Sequence, residues 1–335
     1  MLSYKAWMIS QYAGAADRTM SRPTTPPIIC VFDGPRTCSQ LFNKLFAAHN
    51  QLQQIFHPYM GCSVYGPERV TARLRGSETS RQAKNDLAAT YDLHEETYEV
   101  ASERLRTSIA EARTAGKIPW IKDHLICPMQ VQLMLDSYER NPQADVDFAP
   151  NPTMIPDGLF WSMTPIILVR HPALRVPAYY RAQRPVFREQ ADEEVFEAMA
   201  SSRWAQMVFD AYTARPGARA PIVVDAQDTV HHTRPLAEKI CALLDIDPKG
   251  MQYEWEAVPR GQWPSDPIMQ GFFKTLLKSH GVQREGQPAE LHLDIEHEMR
   301  SWEHGFGQET AKELRRVVDR DLPIYEYLRQ YKLHV

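Results

Sequence analysis

The sequence lacks the features that mark several large protein classes. No apolar run approaches the ~18 residues that a bilayer crossing needs, so no membrane span is expected. Cysteines are few and scattered: Cys30, Cys38, Cys62, Cys127 and Cys241 form no C-x-x-C pair. That odd count does not suit a disulfide framework and predicts a reduced, cytoplasmic protein. Positive charge is not in excess either. With a formal net charge of −4, neither nucleic acid nor an anionic membrane is an expected partner, and any anion site must be local. The nucleotide-hydrolase pattern G-x-x-x-x-G-K-[ST] is missing, which disfavours ATP or GTP hydrolysis. The histidines show no ligand spacing such as H-x-x-x-H with a nearby carboxylate, so no metal is expected. The pair His231-His232 points two ways and reads as surface.

What is present is ordinary globular composition. Hydrophobic residues make up 43% and charged residues 24% of 335, which argues against disorder and allows one large domain or at most two. Four short apolar runs stand out: 28–32, 118–121, 166–169 and 222–224. Their hydrophobicity is continuous rather than alternating, as in strands buried on both faces of a parallel sheet.

Helical patterns lie between them. Leu41, Phe42, Leu45 and Phe46 make one apolar face after the first run. Asp92 with Glu95 reads as a capping pair for a helix through Leu93, Val100, Leu105, Ile109 and Ala112, closed by Gly116. A third helix is expected over about 192–214, and a fourth carries Leu236, Ile240, Leu243 and Leu244. The alternation predicts an α/β fold, a central parallel sheet flanked by helices. Proline breaks the pattern twice, in an insertion near 141–165 and in a loop over 258–271. Residues 1–26 read as an N-terminal arm, ahead of a single α/β domain over 27–335.

Three strand ends carry candidate chemistry. After the first strand, Gly34-Pro35-Arg36-Thr37-Cys38-Ser39-Gln40 runs through a turn into a helix N-terminus. Free N–H groups, the helix dipole and a guanidinium there favour a bound anion. The alternative is that Thr37 and Ser39 only cap the helix while Arg36 is solvated. At the end of the second strand, Lys122-Asp123-His124 offers a cation and a general base, or else a histidine that hydrogen-bonds in the sheet rim. The third strand delivers Arg170 ahead of His171-Pro172, where Pro suits the first turn of a helix. That arginine either meets an anion or pairs with a carboxylate at the sheet edge.

In this order the motifs resemble those of sulfotransferases, α/β proteins with a P-loop NTPase-like fold, in particular fungal and bacterial small-molecule types. The family carries P-[KR]-S-G-T-[TS] where this chain has Pro35-Arg36-Thr37-Cys38-Ser39-Gln40, and K-[TS]-H where it has Lys122-Asp123-His124. It carries [LV]-x-R-x-P, with a serine eight residues after the arginine, where this chain has Leu168-Val169-Arg170-His171-Pro172. The resemblance runs from about Pro27 to Gly281.

It implies PAPS as co-substrate and PAP as product, with transfer of a sulfonate to a hydroxyl of a small acceptor. His124 would be the general base, and Lys122 and Arg36 would stabilise the sulfonate. Arg36, Thr37, Cys38, Ser39 and Gln40 would bind the phosphosulfate, and Arg170 the 3′-phosphate. Two departures fall on donor contacts. Cys38 stands where the family has the glycine that hugs the phosphate, and Ala178 stands where it has the serine. They leave a second reading: a sulfotransferase-fold enzyme that no longer sulfonates and runs an acid/base step such as dehydration or cyclisation. A third reading is a non-catalytic nucleotide-binding protein. Aromatic residues and prolines over 148–161 and 255–273 would build an apolar or aromatic acceptor pocket, a setting that fits secondary metabolism. An oligomer stays possible.

Overall fold

A computed structural model describes residues 27–139, 150–265, 267–284 and 293–335. The expected N-terminal arm and much of the proline-rich insertion, including Phe148, lie outside the described residues. The first half runs β1 (Ile28–Asp33), α1 (Ser39–Phe46), β2 (Leu52–Phe56), α2 (Glu78–Thr90), α3 (Tyr98–Thr114), β3 (Ile118–His124) and α4 (Val131–Glu139). Next come β4 (Met163–Val169), α5 (Pro172–Gln183), α6 (Glu194–Ala200), α7 (Arg203–Ala214) and β5 (Ile222–Asp225). The chain then continues through α8 (Ala226–His231), α9 (Thr233–Leu244), α10 (Pro267–Lys278), α11 (Ile295–Phe306) and α12 (Gln308–Arg329).

The strands form one five-stranded sheet in the order β2-β3-β1-β4-β5, with every neighbouring pair parallel. This is an α/β fold with a central parallel sheet flanked by helices. The alternation along β1 explains its unbroken apolar run. Ile28, Cys30 and Phe32 enter one core with α3, α5, α6, α7 and α12. Ile29 and Val31 enter a smaller core with Phe42, Leu45 and Phe46 of α1 and Leu236, Ile240 and Leu244 of α9. Strand order reverses at β1, which has β3 on one side and β4 on the other. Ligands in open α/β sheets bind at the carboxyl ends of the strands beside such a reversal.

Several local expectations are corrected. An edge strand, β2, was not anticipated, because Gln53 and Gln54 break its apolar character while only Leu52 is buried. Strand β4 begins at Met163 and contains Pro165. Pairing with β5 starts only at Ile166, so the missing N–H of Pro165 costs no bond on that side. Thr97, not Asp92, caps α3 by accepting from Val100 N, and Asp92 sits in a left-handed turn before it. Gly116 does close that helix, at φ 67°. The helix expected over 192–214 breaks into α6 and α7 at Ser201-Ser202. Helix α10 starts inside the expected loop 258–271, and α11 and α12 were not foreseen. Of the histidine pair, His232 is exposed and hydrogen-bonds Asp228, while His231 is half-buried. No described helix is long and apolar enough to cross a membrane.

Candidate active site

A cavity of about 330 Å³ opens over the carboxyl ends of the strands. One end is built by the turn after β1. Arg36 and Cys38 both have positive φ, 67° and 61°, a conformation that costs a side-chain-bearing residue on the order of 1 kcal/mol or more. Cys38 precedes α1 and makes no side-chain cap hydrogen bond, so the helix N-terminus faces the cavity without a capping side chain. Arg36, Cys38, Ser39, Gln40 and Arg170 all line the wall. Thr37 does not: it is buried, and its hydroxyl donates to Gly34 O at 2.9 Å, closing the turn.

The two arginines are held differently. Arg170 Nη1 donates to Arg36 O at 3.0 Å, fixing the turn from behind. Arg36 Nη1 donates to Phe272 O in α10 at 3.1 Å, while its Nε is buried without a hydrogen-bond partner. Burial pushes the Arg36 pKa down, and the charges of Arg170 and Arg181 push it the same way, against an opposing effect of Cys38. No ion pair of Arg36 with a carboxylate forms among the described residues. An anion would relieve this cationic corner.

Next to it stand two histidines on facing strand ends. Asp33 and His124 are register partners on β1 and β3, and His124 Nδ1 lies 2.5 Å from Asp33 Oδ1. The contact leaves Nε2 as the ring nitrogen available to a ligand, and His124 lines the cavity. Lys122 is fully buried behind this pair and is not part of the wall. Its Nζ lies 3.1 Å from Asp33 Oδ2, an ion pair off the hydrogen-bond direction, and 2.9 Å from His57 Nε2. His57 Nδ1 meets Asp123 Oδ1 at 3.0 Å, and the two histidine rings are 4.5 Å apart.

Protonation follows from these contacts. Burial raises the Asp33 carboxyl, but Lys122 and His124 together outweigh it and hold the pKa below the ordinary value. Burial and the Lys122 charge lower the His124 pKa, with Asp33 opposing, so the imidazole is neutral near pH 7. His57 is driven well below the ordinary value by burial, Lys122 and His124. Burial raises Asp123 to about 7 despite its hydrogen bonds.

The sequence singled out His124, Arg36 and Arg170, and the structure brings all three to one cavity. It missed Asp33 and His57. Asp33 ends an apolar run directly before the turn, and that position opposite a strand-end histidine is the signal for it. His57 follows a strand that the apolar pattern did not reveal.

The cavity also has apolar walls, from Met60, Val64, Phe187, Met199, Phe272 and Phe273. Only part of the expected aromatic pocket is used. Trp255 packs in the α1–α9 core, and Trp161 lies against Arg215 at a separate surface recess. Among the described residues no carboxylate lines the cavity, while Arg36 and Arg170 do.

Comparison with known proteins finds relatives named sulfotransferase. No protein-family model matches the sequence. A protein named sulfotransferase ppzF from Metarhizium majus is 23% identical over 331 residues, covering 89% of this chain and 94% of that one. Its namesake from Metarhizium rileyi is 21% identical over 340 residues, covering 93% and 98%. Among solved structures, a sulfotransferase domain from the curacin biosynthetic pathway aligns over 84% of this chain and 98% of that one, with 15% identity and a TM-score of 0.42. With curated relatives matching along nine-tenths of its length, the chain is a relative of the sulfotransferase family.

Proposed function

We propose that the protein transfers a sulfonate from PAPS to a hydroxyl of a small, apolar acceptor. The observation that carries this reading is a single cavity that joins an uncapped helix N-terminus and two arginines to an Asp-backed histidine. The anion corner fits a phosphosulfate, because Arg36 has an unused buried donor and sits against like charges. Arg170, on the same wall, would meet the 3′-phosphate without help from Ala178, which lies outside the wall.

The step balances within these groups. As the acceptor oxygen bonds to sulfur, its proton passes to His124 Nε2, and the bond from sulfur to the 5′-phosphate oxygen breaks. The resulting imidazolium is stabilised by Asp33, whose carboxylate is kept ionised by Lys122. Arg36 and the N–H groups of the helix start stabilise the charge that grows on the leaving phosphate. Lys122, fully buried, acts through Asp33 rather than on the sulfonate. The apolar walls hold the acceptor and exclude water.

Cys38 favours a second reading. A Cβ and thiol stand where the sulfotransferase motif has glycine, at the point of closest approach to a phosphate. An enzyme that keeps the His124 base and has lost its donor would run an acid/base step on a metabolite. Calorimetry with PAP beside 5′-AMP separates the two. Sulfonate transfer predicts that PAP binds and that 5′-AMP, lacking the 3′-phosphate, binds more weakly. Negligible binding of both nucleotides defeats the sulfotransferase reading and leaves the other.

A further inference from the structure

Asp123 has no part in the chemistry described so far, yet it is buried at the centre of the site. Two backbone N–H groups and one imidazole nitrogen meet it. Its Oδ2 accepts from Tyr59 N at 2.8 Å, and its Oδ1 accepts from His124 N at 2.8 Å and faces His57 Nδ1 at 3.0 Å. The Lys122 ammonium only donates, and its Nζ lies 2.9 Å from His57 Nε2, so that nitrogen is a lone pair and the His57 proton sits on Nδ1. Asp123 Oδ1 then accepts that proton's hydrogen bond, which calls for its carboxylate form. The ammonium held there is ion-paired to Asp33, whose other oxygen takes the Nδ1–H of His124. The polarity of the whole series, Asp123–His57–Lys122–Asp33–His124, is therefore consistent, with Asp123 and His57 holding the ammonium against Asp33. Its product is a His124 ring with a bare Nε2 toward the cavity.

We propose that Asp123 and His57 are positioning residues that, through Lys122 and Asp33, hold His124 in the tautomer able to accept a proton. His57 touches the cavity with its ring, but both of its nitrogens are taken by protein groups, so it is not itself a base. The proposal rests on the reading of His124 as the base. It excludes a purely architectural role for Asp123, in which the carboxylate only pins the turn after β2 through Tyr59 N.

Polarity makes the idea testable with an isostere. In Asp123→Asn with the amide oxygen at the Oδ2 position, that oxygen still accepts from Tyr59 N, and the amide nitrogen faces both His124 N and His57 Nδ1 as a donor. His57 must then carry its proton on Nε2, where it opposes the Lys122 ammonium. Nitrogen-15 spectra of the imidazoles report this directly, assigned with His57→Gln and His124→Gln variants. The wild type is expected to show both rings protonated on Nδ1, and Asp123→Asn to show His57 protonated on Nε2. Turnover should fall about tenfold or more, as for other groups that orient a reacting side chain, with KM for the acceptor and affinity for PAP nearly unchanged.

A second pair of variants carries the test if Asp123→Asn does not fold. His57→Gln can donate to Asp123 and accept from Lys122 through its amide, whereas His57→Met can do neither. Glutamine should therefore cost far less turnover than methionine, at equal KM. An unchanged His57 tautomer together with unchanged turnover in Asp123→Asn overturns the proposal, and so do equal losses in the two His57 variants. The spectra need no substrate. A tautomer change without any PAP binding would therefore sink the sulfonate-transfer reading while leaving the positioning chain intact.

Discussion

The two halves of the polar end of the cavity manage charge in opposite ways. Around His124 every ionic group has a counterpart: Lys122 has Asp33, and both imidazoles are backed by carboxylates. Around Arg36 the neighbours are Arg170 and Arg181, and a buried Nε has no acceptor. The first half is complete in the free protein. It is organised before any substrate arrives, as expected of a group that must take a proton at the right moment. The second half leaves the buried Nε of Arg36 without an acceptor, as expected of a place that a ligand completes.

The largest effect that tests this contrast is on turnover. His124→Ala should lower kcat by about 10²-fold or more, the usual worth of a general base, while PAP affinity measured by calorimetry stays close to wild type. A mutant with full activity, or one that also loses the nucleotide, would mean that the two halves are not separate.

Arg36→Ala should do the reverse. Loss of a charge-assisted contact of about 1.5–3 kcal/mol predicts roughly 10- to 150-fold weaker PAP binding. It should leave the imidazole signal of His124 unmoved. Unchanged affinity would reduce the turn after β1 to a helix start.

Smaller effects refine the picture. Cys38→Gly removes a side chain from a left-handed position, which should stabilise the protein by about 1 kcal/mol. In a chain of this size that is a rise in Tm on the order of 2 °C. The same change gives a phosphate closer access to the backbone, and PAP should bind a few-fold tighter. If Tm rises but PAP affinity does not, no phosphate approaches that turn.

The smallest signal is a titration. Burial and the Lys122 charge disfavour the imidazolium more than Asp33 favours it, so the His124 ring should titrate below the ordinary 6.5. An NMR titration reads it, and Lys122→Met should raise it by removing a like charge. A midpoint above 6.5 in the wild type would mean that Asp33 dominates.

The parts legible in the sequence were those with a local signature. Continuous apolar runs gave four strands because residues on both faces of β1, β3 and β4 are buried. Arg36, His124 and Arg170 were legible because each follows such a run. Asp33 was hidden by its own position, since an acid after a strand looks like ordinary turn chemistry until register sets it against His124. His57 belongs to an edge strand whose polar Gln53 and Gln54 mask the period. Lys122 was placed at the reacting centre by motif, but the length of β3 carries it under the cavity floor instead. Helices α11 and α12 carry mixed charge along most of their length and gave no strong apolar stripe to the eye, although Leu314, Val317 and Val318 are fully buried.

Helix α12 bears on the site from a distance. Its Asp321 is fully buried and holds Arg175 Nη2 at 2.7 Å, with Ser202 Oγ on the same nitrogen at 3.0 Å. The other nitrogen of that guanidinium, Nη1, has no hydrogen-bond partner and lies 3.4 Å from where a Cβ on Gly34 would be. The turn that shapes the anion corner thus rests on a cation whose counter-ion comes from the last thirty or so residues. Shortening the chain past Asp321 would leave that cation buried and unmatched beneath the turn, an error costing about 3–5 kcal/mol in comparable cases. A carboxy-terminal deletion would therefore register first as a nucleotide-binding defect, though no residue it removes touches the nucleotide.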